Sequence, residues 1–166
     1  NNAVQEAEGQ WAIAVGRCNP AGHPYEVFYH TRWNPDGTGA DVWQTFSQDG
    51  SLPNLEDETP AAQGEQLGAA IAIRFTLQPG ETCQIPFVLA WDFPITEFAS
   101  GVRYYRRYTD FFGRSGNHAW AIARTALQEY QNWQQQIQAW QQPILASASP
   151  DWFKMALLNE LYDLTS

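Results

Sequence analysis

The strongest fold signal in the sequence is GAAIAIRFTLQPGETCQIPFVLAW, residues 68–91. In its first half, apolar residues alternate with small or polar ones, at Ile71, Ile73, Phe75 and Leu77. The same alternation returns in the second half at Ile85, Phe87, Leu89 and Trp91. A period of two residues predicts strands with one buried face. Since PGE at 79–81 predicts a turn between them, we expect a β-hairpin with a buried apolar face.

Three shorter segments upstream also have the composition of strands. They are WAIAVG (11–16), YEVFYHTRW (25–33) and DVWQTF (41–46), and turn-forming residues separate them. The polar, Pro-containing residues 49–64 predict a loop. About five short strands favour part of an antiparallel β-sandwich, although that number is small for two complete sheets.

The downstream sequence changes to a helical period. Apolar residues step by three or four at Trp120, Ala123, Leu127, Tyr130, Trp133, Ile137, Trp140 and Ile144. This spacing predicts one long amphipathic helix. We expect Ser115 or Asn117 to cap its start and Pro143 to end it.

A second helix is predicted over SPDWFKMALLNELYDLTS, residues 149–166. Ser149 is the expected N-cap, with Pro150 at the first helical position and Asp151 in the first turn. The sequence begins without Met and stops inside this segment, so we expect the chain to be part of a longer protein.

Glu160 stands out in this second helix because it lies on the apolar side. At about 100° per residue, it falls within the arc of Phe153, Leu157, Leu161 and Leu164. Burying an ionised carboxylate without partners costs several kcal/mol. Three interpretations remain open: a structural ion pair or hydrogen-bonded acid, a face that packs against another part of a longer protein, and a carboxylate in a concave catalytic site.

Composition excludes some classes of partner. The net charge of −9 disfavours nucleic acid and anionic membrane surfaces, which bind through Lys and Arg. No segment has the length or apolarity of a membrane span, and none has the pattern of a signal peptide, so we expect a cytoplasmic protein. The aromatic share of 14% is compatible either with sugar stacking or with large rings filling a β-rich core.

Spacing supplies no metal, cofactor or catalytic set. His23, His30 and His118 are scattered singly, and no paired metal ligands or glycine-rich phosphate loop occur in the sequence. We therefore expect no cofactor and no metal. Cys18 and Cys83 are expected to be buried or idle thiols, with one disulfide as the alternative.

Four blocks of sequence resemble a known enzyme family. PDWFKMALLNELY (150–162) resembles the region around the catalytic nucleophile of the non-lysosomal glucosylceramidase or bile-acid β-glucosidase family, glycoside hydrolase family 116. PGETCQIPFVLAWDFP (79–94) and YYRRYTDFFG (104–113) resemble the end of its N-terminal β-sandwich domain. WQQPIL (140–145) is similar to its linker into a catalytic (α/α)6 barrel.

The resemblance implies a domain organisation and one catalytic residue. Residues 1–113 would be the C-terminal portion of the β-sandwich domain, 114–148 a helical linker, and 149–166 the start of the barrel. Glu160 would be the nucleophile of a retaining glycosidase that forms a covalent glycosyl-enzyme. The family's acid/base aspartate would lie beyond Ser166, so we expect the chain alone to be inactive.

The implied substrate is a β-glucoside or a glucosylceramide-like lipid, and β-xylosides are also compatible with the family. We make no prediction of oligomeric state. A competing hypothesis from another class is a non-catalytic β module that binds carbohydrate or protein and carries a helical arm.

Overall fold

The computed structural model describes residues 4–17, 24–98 and 101–160. The elements in these ranges are β1 Gln10–Val15, β2 Tyr25–Trp33, α1 Ala40–Asp49, β3 Gly68–Phe75, β4 Phe87–Asp92, β5 Ile95–Glu97, β6 Arg103–Tyr105, α2 Thr109–Phe112, α3 Ala119–Leu145 and α4 Asp151–Asn159. The chain divides into two units, Asn1–Leu127 and Gln128–Ser166. The order of elements therefore confirms the predicted β-rich part followed by helices.

The strands form antiparallel pairs, but the predicted hairpin is wrong. β4 pairs with β1, from Gln10 opposite Asp92 to Val15 opposite Phe87, and β3 pairs with β2. The turn at 79–81 does form, since the Glu81 amide donates to the Gln78 carbonyl at 3.0 Å. Alternation indicates that a segment is a strand, but it does not identify the strand that will pair with it.

The predicted buried face of β4 is also wrong. Phe87, Leu89 and Trp91 are each 55% exposed, whereas Ala90 is 4% exposed and Asp92 is fully buried. The reason is the small size of the alanine side chain, which lets helix α3 approach the β1–β4 sheet closely. Large side chains at these positions would hold the helix away from the sheet.

The core of the first unit lies in this alanine interface. Its buried members are Ala14, Ala90 and Ala123, and the partly buried residues packed against them are Ala12, Val88, Ile122 and Leu127. The predicted helical face of α3 is thus confirmed at Ala123 and Leu127, whereas its other members Trp120, Trp133, Ile137 and Trp140 are exposed. Close packing of this kind is sensitive to added volume, since interiors have few voids.

Residues 41–46, predicted as a strand, lie in helix α1, so that prediction is wrong. Two glycines with left-handed backbone bound the helix, Gly39 at φ 68° and Gly50 at φ 77°. The Gly50 amide donates to the Phe46 carbonyl at 2.8 Å and closes the helix end. Trp43 and Phe46, three positions apart, place their ring centroids 6.0 Å apart on one side of the helix.

Helix α3 confirms the predicted long helix, with 27 residues, but Pro143 does not end it. The helix continues to Leu145, and the Ala146 amide still donates to the Gln142 carbonyl at 2.9 Å. Proline removes its own amide bond without preventing the next turn from closing. The prediction that Pro143 is the helix end is therefore wrong by two residues.

The structure also bears on two further predictions, one about the cysteines and one about membrane spans. Cys83 is disulfide-bonded, so the expectation of an idle thiol is wrong for this residue, and Cys18 lies outside the described residues. Among the described residues, no helix is both long enough and apolar enough to cross a membrane.

The alanine interface generates a stability prediction. Ala123→Leu should lower the free energy of unfolding by about 1–3 kcal/mol, because a larger side chain must displace α3 from the sheet. The measurement is urea unfolding followed by circular dichroism. Ala139→Leu is the matched control, since Ala139 lies exposed on the same helix and should change stability little. An equal effect of both substitutions would contradict the interface.

Candidate functional site

Glu160 lies at the C-terminal end of helix α4 as its C-cap residue, with its side chain exposed. Its amide donates to the Ala156 carbonyl at 3.0 Å, which continues the helical hydrogen bonding. Within the part of the chain that the structure describes, no hydrogen bond or ion pair involves its carboxylate. The structural ion pair considered for Glu160 therefore receives no support.

The apolar arc around Glu160 is exposed as well. Helix α4 has no buried residues, and Phe153 and Leu157 are 41% and 43% exposed. Leu161 and Leu164, which complete the predicted arc, lie outside the described residues. Of the predicted signals for the helix start, Asp151 is confirmed in the first turn, where Lys154 pairs with it at 3.2 Å. Pro150 rather than Ser149 is the N-cap, so the predicted start is one residue early.

A buried acid does exist in the first unit, but it is Asp92 rather than Glu160. Asp92 ends strand β4 and is fully buried. Its Oδ1 accepts a hydrogen bond from the Tyr108 hydroxyl at 2.6 Å, and its Oδ2 accepts one from the His118 amide at 2.8 Å. These two donors offset the cost of burying the carboxylate.

Asp92 also caps helix α3. His118 immediately precedes the helix, and the next amide, that of Ala119, donates to Gln10 Oε1 at 3.2 Å. Gln10 and Asp92 are cross-strand neighbours, so one end of the β1–β4 sheet supplies both acceptors. The predicted capping by Ser115 or Asn117 is therefore wrong: residues distant in sequence bind these amides.

The environment of Asp92 also acts on Tyr108. Burial of the phenol, followed by its hydrogen bond to the Asp92 carboxylate, raises the pKa of Tyr108 well above its ordinary value. Both effects disfavour the phenolate, because it would be a second negative charge in a partly buried place. The neutral hydroxyl of Tyr108 is therefore a persistent donor to Asp92.

Ser115, His118 and Asp92 have the residue types of a nucleophilic triad without its geometry. His118 Nε2 lies 2.9 Å from the Ser115 hydroxyl, but Asp92 accepts from the backbone amide of His118 rather than from its imidazole. The Ser115 hydroxyl itself donates to Asn117 Oδ1. No carboxylate among the described residues orients this imidazole, so the three residues do not form a nucleophilic triad.

Sequence reasoning missed Asp92 as a buried polar residue. The sequence did contain a signal: Asp92 lies two residues after Ala90, so its side chain is on the same face of β4 as the small residues. That signal was misinterpreted because the large residues of the strand were expected to be buried.

Comparison with known families identifies the class of protein. A family model described as beta-glucosidase 2, glycosyl-hydrolase family 116 N-term, matches residues 1–133. The matched range covers the whole first unit and continues along α3 to residue 133. Because the match covers most of the 166 residues, the chain belongs to glycosyl-hydrolase family 116.

The match confirms the resemblance at the level of the family. The narrower assignment to a glucosylceramidase stays a prediction, as do the three domain boundaries. Glu160 lies beyond the matched residues, so its role as nucleophile also stays a prediction.

Removing the Asp92 charge tests the capping arrangement. Asp92→Asn should lower the free energy of unfolding by about 1–3 kcal/mol, because asparagine keeps only one acceptor oxygen, so one of the two donors would face its NH2 group and lose its hydrogen bond. Urea unfolding monitored by circular dichroism measures this loss. Asp110→Asn is the control, because Asp110 is exposed and the substitution removes only its ion pair with Arg114, whose atoms lie 3.4 Å apart. Unchanged stability in Asp92→Asn would contradict the proposed cap.

The raised pKa of Tyr108 predicts a loss of stability in alkali. The folded chain retains this proton at a pH where the unfolded chain, with the ordinary value of 10.0, releases it. Stability should thus be unaffected below about pH 10 and should fall as the pH rises further. Urea midpoints measured from about pH 8 to about pH 11 should decline less in Tyr108→Phe. Tyr104→Phe, at an exposed ring, should retain the full decline.

Proposed function

We propose that this chain is part of a retaining β-glucosidase in which Glu160 is the nucleophile. The observation that carries the proposal is the family match over residues 1–133, a model whose description includes beta-glucosidase. The nucleophile-like block at 150–162 follows shortly after the matched range. The same match does not favour the competing hypothesis of a non-catalytic module.

The proposed reaction proceeds in two displacements. The ionised carboxylate of Glu160 attacks the anomeric carbon and forms a covalent glycosyl-enzyme, while a second carboxylic acid protonates the leaving oxygen. Water then hydrolyses this intermediate, with the second group acting as base. Retaining enzymes place the two carboxyl groups roughly 5–5.5 Å apart. By the family resemblance, the second group is an aspartate outside this chain.

The position of Glu160 is compatible with such a role. Its side chain is exposed at a helix end, flanked on the same helix by the exposed apolar residues Phe153 and Leu157. An assembled barrel would place further residues around it. Because the nucleophile acts in its ionised form, we expect hydrogen-bond donors among them.

The substrate we propose is a β-glucoside, with glucosylceramide-like lipids and β-xylosides as narrower options. Turnover of aryl β-glucoside and aryl β-xyloside by the longer enzyme, compared at equal concentration, would separate the two sugars. Detergent-dispersed glucosylceramide would test the lipid.

The sequence prediction and the disulfide point to different cellular locations. The sequence predicts a cytoplasmic protein, whereas the disulfide-bonded Cys83 favours an oxidising compartment. The mass of the alkylated chain, with and without reduction, would show whether the bond forms when the protein is made in the cytoplasm.

The chain alone is expected to be inactive. With its acid/base missing, the purified 166-residue chain should release no aryl leaving group from an aryl β-glucoside above the rate of the substrate alone. Absorbance of the released phenol measures this rate. Turnover by the pure chain would contradict the assignment of the acid/base to another part of the enzyme.

In the longer enzyme, Glu160→Gln should abolish turnover while leaving folding intact. The amide cannot form the glycosyl ester, so we expect a loss of roughly 10⁴-fold or more, corresponding to about 5.4 kcal/mol in the barrier. A 2-deoxy-2-fluoroglucoside that traps the intermediate should add its mass to the peptide containing Glu160 in the native enzyme only. Asp151→Asn, at the exposed start of α4, is the control and should retain activity. Full activity in Glu160→Gln, or an adduct on another residue, would show that the nucleophile is misassigned.

A further inference from the structure

The first unit contains two Asp–Gly dipeptides, Asp36–Gly37 and Asp49–Gly50. An aspartate followed by glycine can rearrange its backbone, because glycine has no side chain to crowd its amide nitrogen. This nitrogen attacks the aspartate Cγ, a C–N bond forms, and the carboxyl OH leaves as water with the amide proton, which gives a succinimide ring. Water then reopens the ring at either carbonyl. Opening at the original backbone carbonyl gives isoaspartate, whose main chain runs through Cβ and Cγ.

The carboxylate of Asp49 is held by neighbouring groups. Its Oδ1 accepts hydrogen bonds from the Ser51 hydroxyl at 2.6 Å and the Ser51 amide at 2.9 Å, and its Oδ2 lies 3.9 Å from Arg74 Nη1. These contacts, the Ser51 hydroxyl foremost, lower the pKa of the Asp49 carboxyl. Because an ionised carboxylate resists attack by a nucleophile, they protect Asp49 from ring closure.

The backbone at Asp49 is a second obstacle to the reaction. Asp49 is the last residue of helix α1, and the Gly50 amide donates to the Phe46 carbonyl at 2.8 Å. Ring closure places the Gly50 nitrogen in an eclipsed position with Asp49 Cβ, which requires a ψ far from the helical value of about −42°. Closing the ring at Asp49 would therefore break the hydrogen bond that ends the helix.

Asp36 has neither of these restraints. It lies in the connection between β2 and α1, and both Asp36 and Gly37 are exposed. Among the described residues, no hydrogen bond or ion pair involves the Asp36 carboxylate. The Asp36 amide donates to Asn34 Oδ1 at 2.9 Å, a bond that precedes the peptide unit that reacts. The Gly37 amide donates to the Pro35 carbonyl at 2.9 Å, so ring closure at Asp36 costs one short-range hydrogen bond.

Open space around the glycines does not distinguish the two sites. A Cβ added at either Gly37 or Gly50 would meet no atom within 4 Å. The difference lies instead in how firmly the fold holds each aspartate. Asp49 would lose its carboxylate contacts and the end of its helix, whereas Asp36 has no carboxylate contact to lose. Folding should therefore direct the reaction to Asp36.

We propose that Asp36–Gly37 is a site of spontaneous isoaspartate formation in the folded chain, and that the fold protects Asp49–Gly50 from the same reaction. The modified main chain would carry one additional methylene group between β2 and α1. It would also carry a free α-carboxylate at residue 36, which is the group that an isoaspartate-specific carboxyl methyltransferase esterifies. This site goes beyond the proposed function, because it involves neither Glu160 nor a glycoside.

The test is to age the folded 166-residue chain at neutral pH and to measure its isoaspartate content. The probe is an isoaspartate-specific methyltransferase with radiolabelled S-adenosylmethionine, which counts the methyl groups transferred. Asp36→Glu should lose most of this label, because glutamate must close a larger ring and does so much more slowly. Asp49→Glu is the matched control and should retain the label. In chains aged in urea, both sites should react, so each single variant should lose only part of it.

A second variant keeps the Asp36 carboxylate and guards against a folding defect in the first. The φ of Gly37 is outside the left-handed region and an added Cβ meets nothing within 4 Å, so Gly37→Ala should fold normally. Its methyl group crowds the attacking nitrogen, so the label should again fall.

Three results would overturn the proposal. The first is a folded native chain that accepts no label, and the second is an equal loss of label in Asp36→Glu and Asp49→Glu. The third is a division of the reaction between the two sites that is the same in the folded chain as in urea, which would mean that the fold protects neither. Enzyme turnover is not part of the measurement, so failure here leaves the nucleophile assignment intact.

Discussion

The buried carboxylate of Asp92 is the interaction on which the first unit depends. It lies where strand β4 ends and helix α3 begins, and it joins the two through the His118 amide while Tyr108 occupies its other oxygen. A helix start carries unpaired amides and a partial positive charge, so a carboxylate is the acceptor best suited to it. Because Asp92 is fully buried, losing either donor would leave part of a charge unpaired in the interior.

This cap explains why the small side chains of the sheet face inward. With its first amides bound to the end of the β1–β4 sheet, α3 must run close to the strands, and the small side chains of Ala14 and Ala90 leave room for it at the contact. The large side chains then occupy the other face, where Trp11 packs against Trp91 and Phe93 with ring centroids 5.6 Å apart. The aromatic content is thus partly an outer cluster rather than the filling of a core.

The family match and the proposed nucleophile lie in different parts of the chain. The family match lies over the first unit and the start of the second, whereas the proposed nucleophile is at the end of helix α4. The periodicity of α4 singled out Glu160, and the resemblance supplied its proposed reaction.

The sequence by itself determined strands β1 to β4, the helical segments α3 and α4, and the family, but it predicted helix α1 as a strand. The strands at β1 to β4 and the two long helical segments follow from alternation and from the three-to-four spacing, which are properties of neighbouring residues. Tertiary structure alone decided which strands pair, which face of β4 is buried, and which side chains cap α3. The physical reason is that a strand of alternating alanine and aromatic residues is apolar on both faces, so the pattern does not show which face is buried. Only the close approach of α3, held by Asp92 from a distant strand, makes that choice.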